Sequence, residues 1–327
     1  MRVIDMHCDT VSALYHLREQ GKQEALRENG LHVDLMRMKE SRYLLQNFAL
    51  FVQMKGVDDP WEQVCRLHGL YEEEIEKNKD LVAPVLSFSD IAENDRAGKM
   101  SALLTVEEGG VCKGELSKLR RLYDWGVRML TLTWNHPNEL GWPNFSRGQS
   151  HYEPNVAQGL TERGREFVTE MEALGMIPDV SHLSDAGFYD VLAVTKKPFV
   201  ASHSNARAVC PWVRNMTDDM IRKLAERGGV MGLNFCADFL EEVPEGQKNP
   251  GTVAAVVRHA KHIANVGGIG VLGLGSDFDG IPAHGELPGA QSMERLWDAL
   301  KSGGFSEDEL DLIFWKNVLR VYEADLK

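Results

Sequence analysis

Residue types able to hold a divalent metal ion recur at the ends of short apolar runs. His7 and Asp9 follow the opening VID run, Glu107 closes SALLTVE, His182 follows MIPDVS, His203 follows PFVAS, and Asp277 and Asp279 follow VLGLGS. Imidazole together with carboxylate suits a borderline ion such as zinc, and a carboxylate can bridge two ions about 3.5–4 Å apart in a two-metal site. A single histidine closing an apolar run is more often a core or loop residue than a ligand, because histidine is commonly half buried. Recurrence at five run ends points instead to one shared face. On an extended strand end, side chains alternate with period two, so His7 and Asp9 share a side while Cys8 turns to the other, and Glu107 turns inward while Val106 turns away. Arg214, in CPWVRNMTDD, could fork onto a substrate carboxylate or, equally, pair with Asp218 or Asp219.

The elements that must position these residues follow from the apolar runs themselves. Eight runs rich in Val, Ile, Leu and Phe are expected as strands: 3–7, 48–54, 102–107, 127–134, 176–182, 198–203, 230–235 and 271–278. Amphipathic stretches alternate with them. Some carry cap signals, such as Ser184-Asp185 before AGFYDVLAV and Thr217-Asp218-Asp219 before a helix that closes on a Gly pair. Eight strand–helix alternations predict a (β/α)8 barrel, with a doubly wound open sheet as the other candidate and extra helices before residue 48 and after residue 306. In a barrel the C-terminal strand ends converge on one face, where active sites are built. No repeat or linker divides the chain, so 1–327 is expected as one domain, with a long loop over 137–156 after the fourth strand. His16, His32, His68, His259 and His262 fall within or near the starts of expected helices and are read as structural, and His151 and His284 as loop residues.

Composition narrows the function classes. The 327 residues are 43% hydrophobic and 26% charged, enough apolar content for a sizeable core. A formal charge of −13 argues against binding phosphate backbones, so nucleic acid is not an expected partner. No run reaches the roughly 18 apolar residues that span a bilayer, and no secretory signal pattern is expected at the start. Five scattered cysteines without a CxxC pair are expected to be reduced thiols in a cytoplasm.

The motifs VEEGG, LRRLYDWGVRMLTLT, DVSHLS, SHSNARAVCPWVRN and GSDFDG, in that order, resemble the membrane (renal) dipeptidase family of zinc metallopeptidases, within the amidohydrolase-type barrels. The resemblance covers nearly the whole chain and is closest to the soluble prokaryotic branch. It implies a (β/α)8 TIM barrel with two divalent ions, zinc above all, hydrolysing dipeptides, including those with a C-terminal D-residue. Carried over by position, His7, Asp9, Glu107, His182 and His203 match the metal ligands, with Glu107 as the bridge. Asp277 matches the acid beside the bridging water, and Arg214 the residue that contacts the substrate's terminal carboxylate, with Asn215 beside it as a further substrate-binding candidate. The chain departs from the family in two places. Glu107 is followed by a second glutamate, Glu108, and counting back from LTLT without a gap selects Glu107. After LTLT the family places a histidine that stabilises the reacting carbonyl oxygen, where this chain has Trp134, and His136 two residues later is the candidate replacement. Expected partners are small dipeptides, with neither membrane nor nucleic acid, and a homodimer is compatible with the reading. The alternatives are an N-acyl amino acid deacylase or other amide or lactone hydrolase on the same barrel and, from another class, a non-catalytic metal-binding scaffold.

Overall fold

In the computed structural model, which describes residues 1–146, 148–244 and 246–327, nine parallel strands form one sheet. In chain order they are β1 (Val3–Asp5), β2 (Tyr43–Phe51), β3 (Val82–Pro84), β4 (Met100–Glu107), β5 (Val127–Thr131), β6 (Ile177–Asp179), β7 (Val200–Ala201), β8 (Val230–Leu233) and β9 (Leu272–Leu274). The order runs β2-β1-β9-β8-β7-β6-β5-β4-β3, and a β2–β4 pairing, Leu45 opposite Ser101 through Phe51 opposite Glu107, closes eight of them into a barrel. The open doubly wound sheet is thereby excluded. β3 stands outside the closed ring, paired with Met100–Ala102 at the start of β4 before β5 takes over at Leu104.

Helices cover the outside. Between β1 and β2 lie α1 (Thr10–Glu19) and α2 (Leu35–Glu40), followed by α3 (Pro60–Lys77), α4 (Phe88–Arg96), α5 (Leu116–Asp124) and α6 (Glu162–Leu174). Then come α7 (Asp185–Val194), α8 (Asp218–Glu226), the short α9 (Ala237–Leu240), α10 (Val253–Gly267), α11 (Met293–Ser302), α12 (Glu307–Asp311) and, after a π-helical turn at Leu312–Lys316, α13 (Asn317–Asp325). The caps read from the sequence form as expected: Ser184 accepts from Gly187 N and Thr217 from Met220 N.

Because helices cover the outer face and side chains fill the interior, β4 is buried at every position. Apolar residues on the outer face of the strands join the helices in a first core. A second core fills the barrel, where Ile4, Leu45, Leu103, Met129, Ile177, Val200 and Val230 meet Val318, Val321 and Tyr322 of α13. The eight expected strands all occur, with different bounds. β2 begins at Tyr43 rather than 48, because Gln46 and Asn47, both fully buried, put polar side chains into the run and break its apolar character. Gln46 donates to the Asp5 and Asn47 carbonyls, and Asn47 accepts from the Tyr322 hydroxyl. At the other ends the expected strands overshoot: β1 stops at Asp5, β6 at Asp179 and β9 at Leu274. Apart from Glu107, the last residue of β4, the ligand candidates therefore sit on the loops just beyond the strands.

Candidate metal centre and substrate cleft

Those loops are built to turn side chains inward. His182 and Asp277 both have left-handed backbone, φ 69° and 63°, an uncommon conformation for residues with a Cβ that costs roughly 1–3 kcal/mol each. Two buried aspartates on the strand ends hold this geometry. Asp5 accepts from the amides of His7 and Ser276 and from the Ser276 hydroxyl, tying the β1 end to the residue before Asp277. Asp179 does the same between β6 and β7, accepting from the amides of Ser181 and Ser202 and from the hydroxyls of Thr131 and Ser202. Gly280 is required by close approach: a Cβ there would lie 2.1 Å from the Asp9 carboxylate.

All five expected metal ligands, with Asp277, converge at the mouth and are buried. Glu107 lies at the centre. Its Oε1 is 3.0 Å from His182 Nε2 and 3.5 Å from His203 Nε2, and its Oε2 is 3.6 Å from His7 Nε2. His7 Nε2 is also 3.3 Å from Asp9 Oδ2 and 3.9 Å from Asp277 Oδ1. Three overlapping groups of ligand atoms result: His7, Asp9 and Glu107; Glu107, His182 and His203; and His7, His203 and Asp277.

The surroundings leave a lone pair at Nε2 of both His182 and His203. His182 Nδ1 donates to Asn135 Oδ1 at 2.8 Å, which leaves Nε2 unprotonated in the neutral ring. Ser202 Oγ gives its proton to Asp179 and so accepts from His203 Nδ1 at 2.7 Å, leaving His203 Nε2 bare as well. These two bare nitrogens face each other at 3.0 Å. Buried Asp9 Oδ1 has no partner. Acceptors crowded around a common point, one of them orphaned, fit a divalent cation. Burial, with Arg214 and His7 nearby, holds His182 and His203 well below the ordinary imidazole value. For His7, burial also opposes the charged form, but the carboxylates of Glu107 and Asp9 outweigh it and raise its pKa well above 6.5. Burial pushes Glu107 to about 7 and Asp277 to about 6.

Other candidates separate by geometry. Glu108, at φ 90°, is a loop anchor, accepting from the amides of Gly110 and Trp134 and from the Asn138 side chain. Asp279 stands apart from the metal cluster, because its two oxygens are taken by Thr10 Oγ1 at 2.6 Å and His32 N at 2.7 Å. Cys8 turns away, its thiol toward the Asn47 carbonyl. The ion-pair reading of Arg214 is overturned: Asp218 pairs with His262, Asp219 accepts from Tyr189, and among the described residues buried Arg214 has one long bond, 3.4 Å to the His203 carbonyl, with Nε unpartnered. Its guanidinium lies 5.5 Å from the Phe239 ring and lines the cleft. Asn215 does not reach the cleft wall; its amide donates to the carbonyls of Cys210 and Phe239 and so shapes the loop that carries Arg214. Trp134 and Asn135 line the cleft while His136 packs edge-on against Trp134 behind them.

Sequence reasoning missed Asn135, Asn234 and His16. Asn234 Nδ2 donates to Asp277 Oδ2 at 2.9 Å, leaving Oδ1 toward the cluster. His16, two turns into α1, stands at the cleft rim. The i, i+4 spacing of Asp9, Ala13 and His16–Leu17 on a helix starting at this ligand candidate could have shown that this face looks into the mouth.

A closed parallel barrel with a histidine–carboxylate cluster at its carboxyl mouth defines a metal-dependent hydrolase of the amidohydrolase type. The family model described as membrane dipeptidase, peptidase family M19, matches residues 1–326, and the chain belongs to that family. It is 35% identical over 267 residues to an uncharacterized protein of Klebsiella pneumoniae, covering 81% of this chain and 95% of that one. It is 32% identical over 314 residues to an uncharacterized dipeptidase of Schizosaccharomyces pombe, covering 90% and 73%. Among solved structures it superposes on a dipeptidase of the same peptidase family with TM-score 0.91 and 26% identity, covering 100% of this chain and 99% of that one. A metallopeptidase from Rhodobacter sphaeroides, bound to a phosphinate mimic of the dipeptide L-Ala-D-Ala, gives 0.90 and 26%, with 99% of each chain covered. The protein is thus a hydrolase of the dipeptidase family. Among the described residues, no helix is long and apolar enough to cross a membrane.

Proposed function

We propose that the protein is a binuclear zinc dipeptidase in which His7, Asp9, Glu107, His182 and His203 hold two ions and Asp277 is the proton-transfer residue. The observation that carries this reading is the position of Glu107, one carboxylate oxygen toward His7 and the other toward His182 and His203. When bound, such ions supply Lewis-acid polarisation of the amide carbonyl and acidification of the attacking water. Asp277 Oδ1, fixed through the Asn234 bond to Oδ2, takes the proton of that water and returns it to the leaving amine. In the metal-free site burial raises the Asp277 carboxyl above the ordinary carboxylate range. Arg214, buried and in no ion pair among the described residues, receives the substrate's C-terminal carboxylate, which gives the dipeptide orientation and affinity. Recognition through the terminal carboxylate leaves the stereochemistry of the last residue loosely constrained, which supports acceptance of a C-terminal D-residue. The five thiols are free, in keeping with a reducing compartment such as the cytoplasm.

Metal analysis beside hydrolysis of free and N-acylated dipeptides tests the reading. About two zinc ions per chain, loss of dipeptide hydrolysis on chelation and its return with zinc are expected, and Asp277→Asn should retain metal while losing at least ~100-fold in kcat. Activity that survives full metal removal would overturn the proposal, and preference for N-acylated substrates would move the protein to the deacylase class.

A further inference from the structure

Resting on the dipeptidase reading, we infer that the preferred substrates are dipeptides with bulky apolar or aromatic side chains at both positions. The cleft, about 330 Å³, is of a size to enclose a small ligand. Two aromatic walls flank the metal cluster. Phe51, at the end of β2, and Trp134, after β5, pack with ring centroids 4.9 Å apart and line one side. Trp212, after β7, and Phe239, after β8, pack 5.5 Å apart and line the other. In the closed ring β2 and β5 flank β4, across the mouth from β7 and β8, and Trp212 is reached through the long loop after β7, where His151 packs against it.

The polar groups between the walls are mostly committed. Ser12 exchanges hydrogen bonds with the Phe51 backbone, Asn135 holds His182, and Asp279 holds Thr10 and His32. Beyond the metal cluster and Arg214, His16 is the one titratable side chain among the described cleft residues left to meet a substrate. A charged substrate side chain would exchange water for aromatic rings without a partner, whereas an apolar one would bury its surface. Arg214 also fixes the direction. It lies against Phe239, so a dipeptide held by its carboxylate turns its C-terminal side chain to the Trp212–Phe239 wall and its N-terminal side chain to Phe51 and Trp134.

The test measures kcat/KM of the zinc-loaded protein for leucyl-phenylalanine, aspartyl-phenylalanine, lysyl-phenylalanine, leucyl-aspartate and leucyl-lysine, with Trp134→Ala alongside. Expected is at least about 10-fold preference for leucyl-phenylalanine over each charged dipeptide. In Trp134→Ala that preference should shrink for substrates that differ at the N-terminal residue and persist for those that differ at the C-terminal one. Charged dipeptides hydrolysed as well as leucyl-phenylalanine would overturn this inference and leave the dipeptidase reading standing. Hydrolysis of none of the five by zinc-loaded protein would overturn both. A uniform loss across all five in Trp134→Ala would show that the residue supports the fold rather than selects the substrate, and would overturn its assignment to the N-terminal side.

Discussion

The two ends of the barrel are finished differently. At the base, α13 lays Val318, Val321 and Tyr322 against the strand interiors, and the polar groups that face the barrel are matched: Tyr322 Oη donates to Asn47 Oδ1 at 2.8 Å, and Asn317 donates to the carbonyls of Ile269 and Leu272 at 2.8 Å each, while Asp325 Oδ2 at the helix end is left without a partner. At the mouth, equally buried atoms are left wanting: two bare imidazole nitrogens face each other, Asp9 Oδ1 and Arg214 Nε have no partner, and three carboxylates crowd one histidine. The base stabilises the fold mainly by packing and paired hydrogen bonds, whereas the mouth gathers acceptors that fit a metal ion.

The largest effect expected from breaking this contrast is at Glu107. Glu107→Ala should abolish binding of both proposed ions, measured by elemental analysis, and lower dipeptide hydrolysis more than ~10³-fold, about 4 kcal/mol in the barrier. The same change should leave the melting temperature of metal-stripped protein equal or higher, because it removes one of the crowded carboxylates. Tyr322→Ala should do the reverse, costing about 3–4 kcal/mol of stability in denaturant titrations. Its metal stoichiometry and the KM of the folded fraction should stay as in the wild type.

A smaller effect separates two histidines, both fully buried. His203 leaves Nε2 to the cluster, whereas His259 is complete, Nδ1 accepting from Ala206 N at 3.0 Å and Nε2 donating to the Leu240 carbonyl at 2.9 Å. Burial depresses the His259 pKa to about 4. The unfolded chain, with histidine near 6.5, therefore binds a proton that the folded chain refuses, so this contribution is present above about pH 6.5 and lost as pH falls toward 4. Between pH 7 and pH 5 the loss should be about 2 kcal/mol in urea unfolding, and His259→Gln should lack that slope. The smallest effect falls on the support of a ligand. Asn135→Ala frees the His182 ring and should weaken zinc binding about 10-fold in competition with a chromophoric chelator, with the fold unchanged.

How much of this was legible in the sequence depended on whether a feature is local. The eight apolar runs gave the barrel because parallel strands buried on both faces must be apolar throughout, and caps at Ser184 and Thr217 depend only on neighbours. That these candidate ligands converge was legible because each closes such a run. β2 was cut short by Gln46 and Asn47, whose partners Asp5 and Tyr322 lie 41 and 275 positions away along the chain. β3 is three residues long, and its pairing with β4 leaves no periodic signal. Arg214 was ambiguous for the same reason: only the fold shows that Asp218 and Asp219 have other partners. Trp134 and Asn135 in the cleft, with His136 behind, reflect a loop course set by Glu108, which holds the Trp134 amide from 26 positions earlier.

The left-handed backbone at His182 and Asp277 bears on any attempt to harden this protein for use at high temperature. At both positions glycine would relax the chain, so a search that ranks substitutions by melting temperature alone would favour removing a metal-ligand candidate and the proposed proton-transfer residue. Selection schemes should hold these two positions fixed and look for gains at the helical base, where stability and chemistry do not compete.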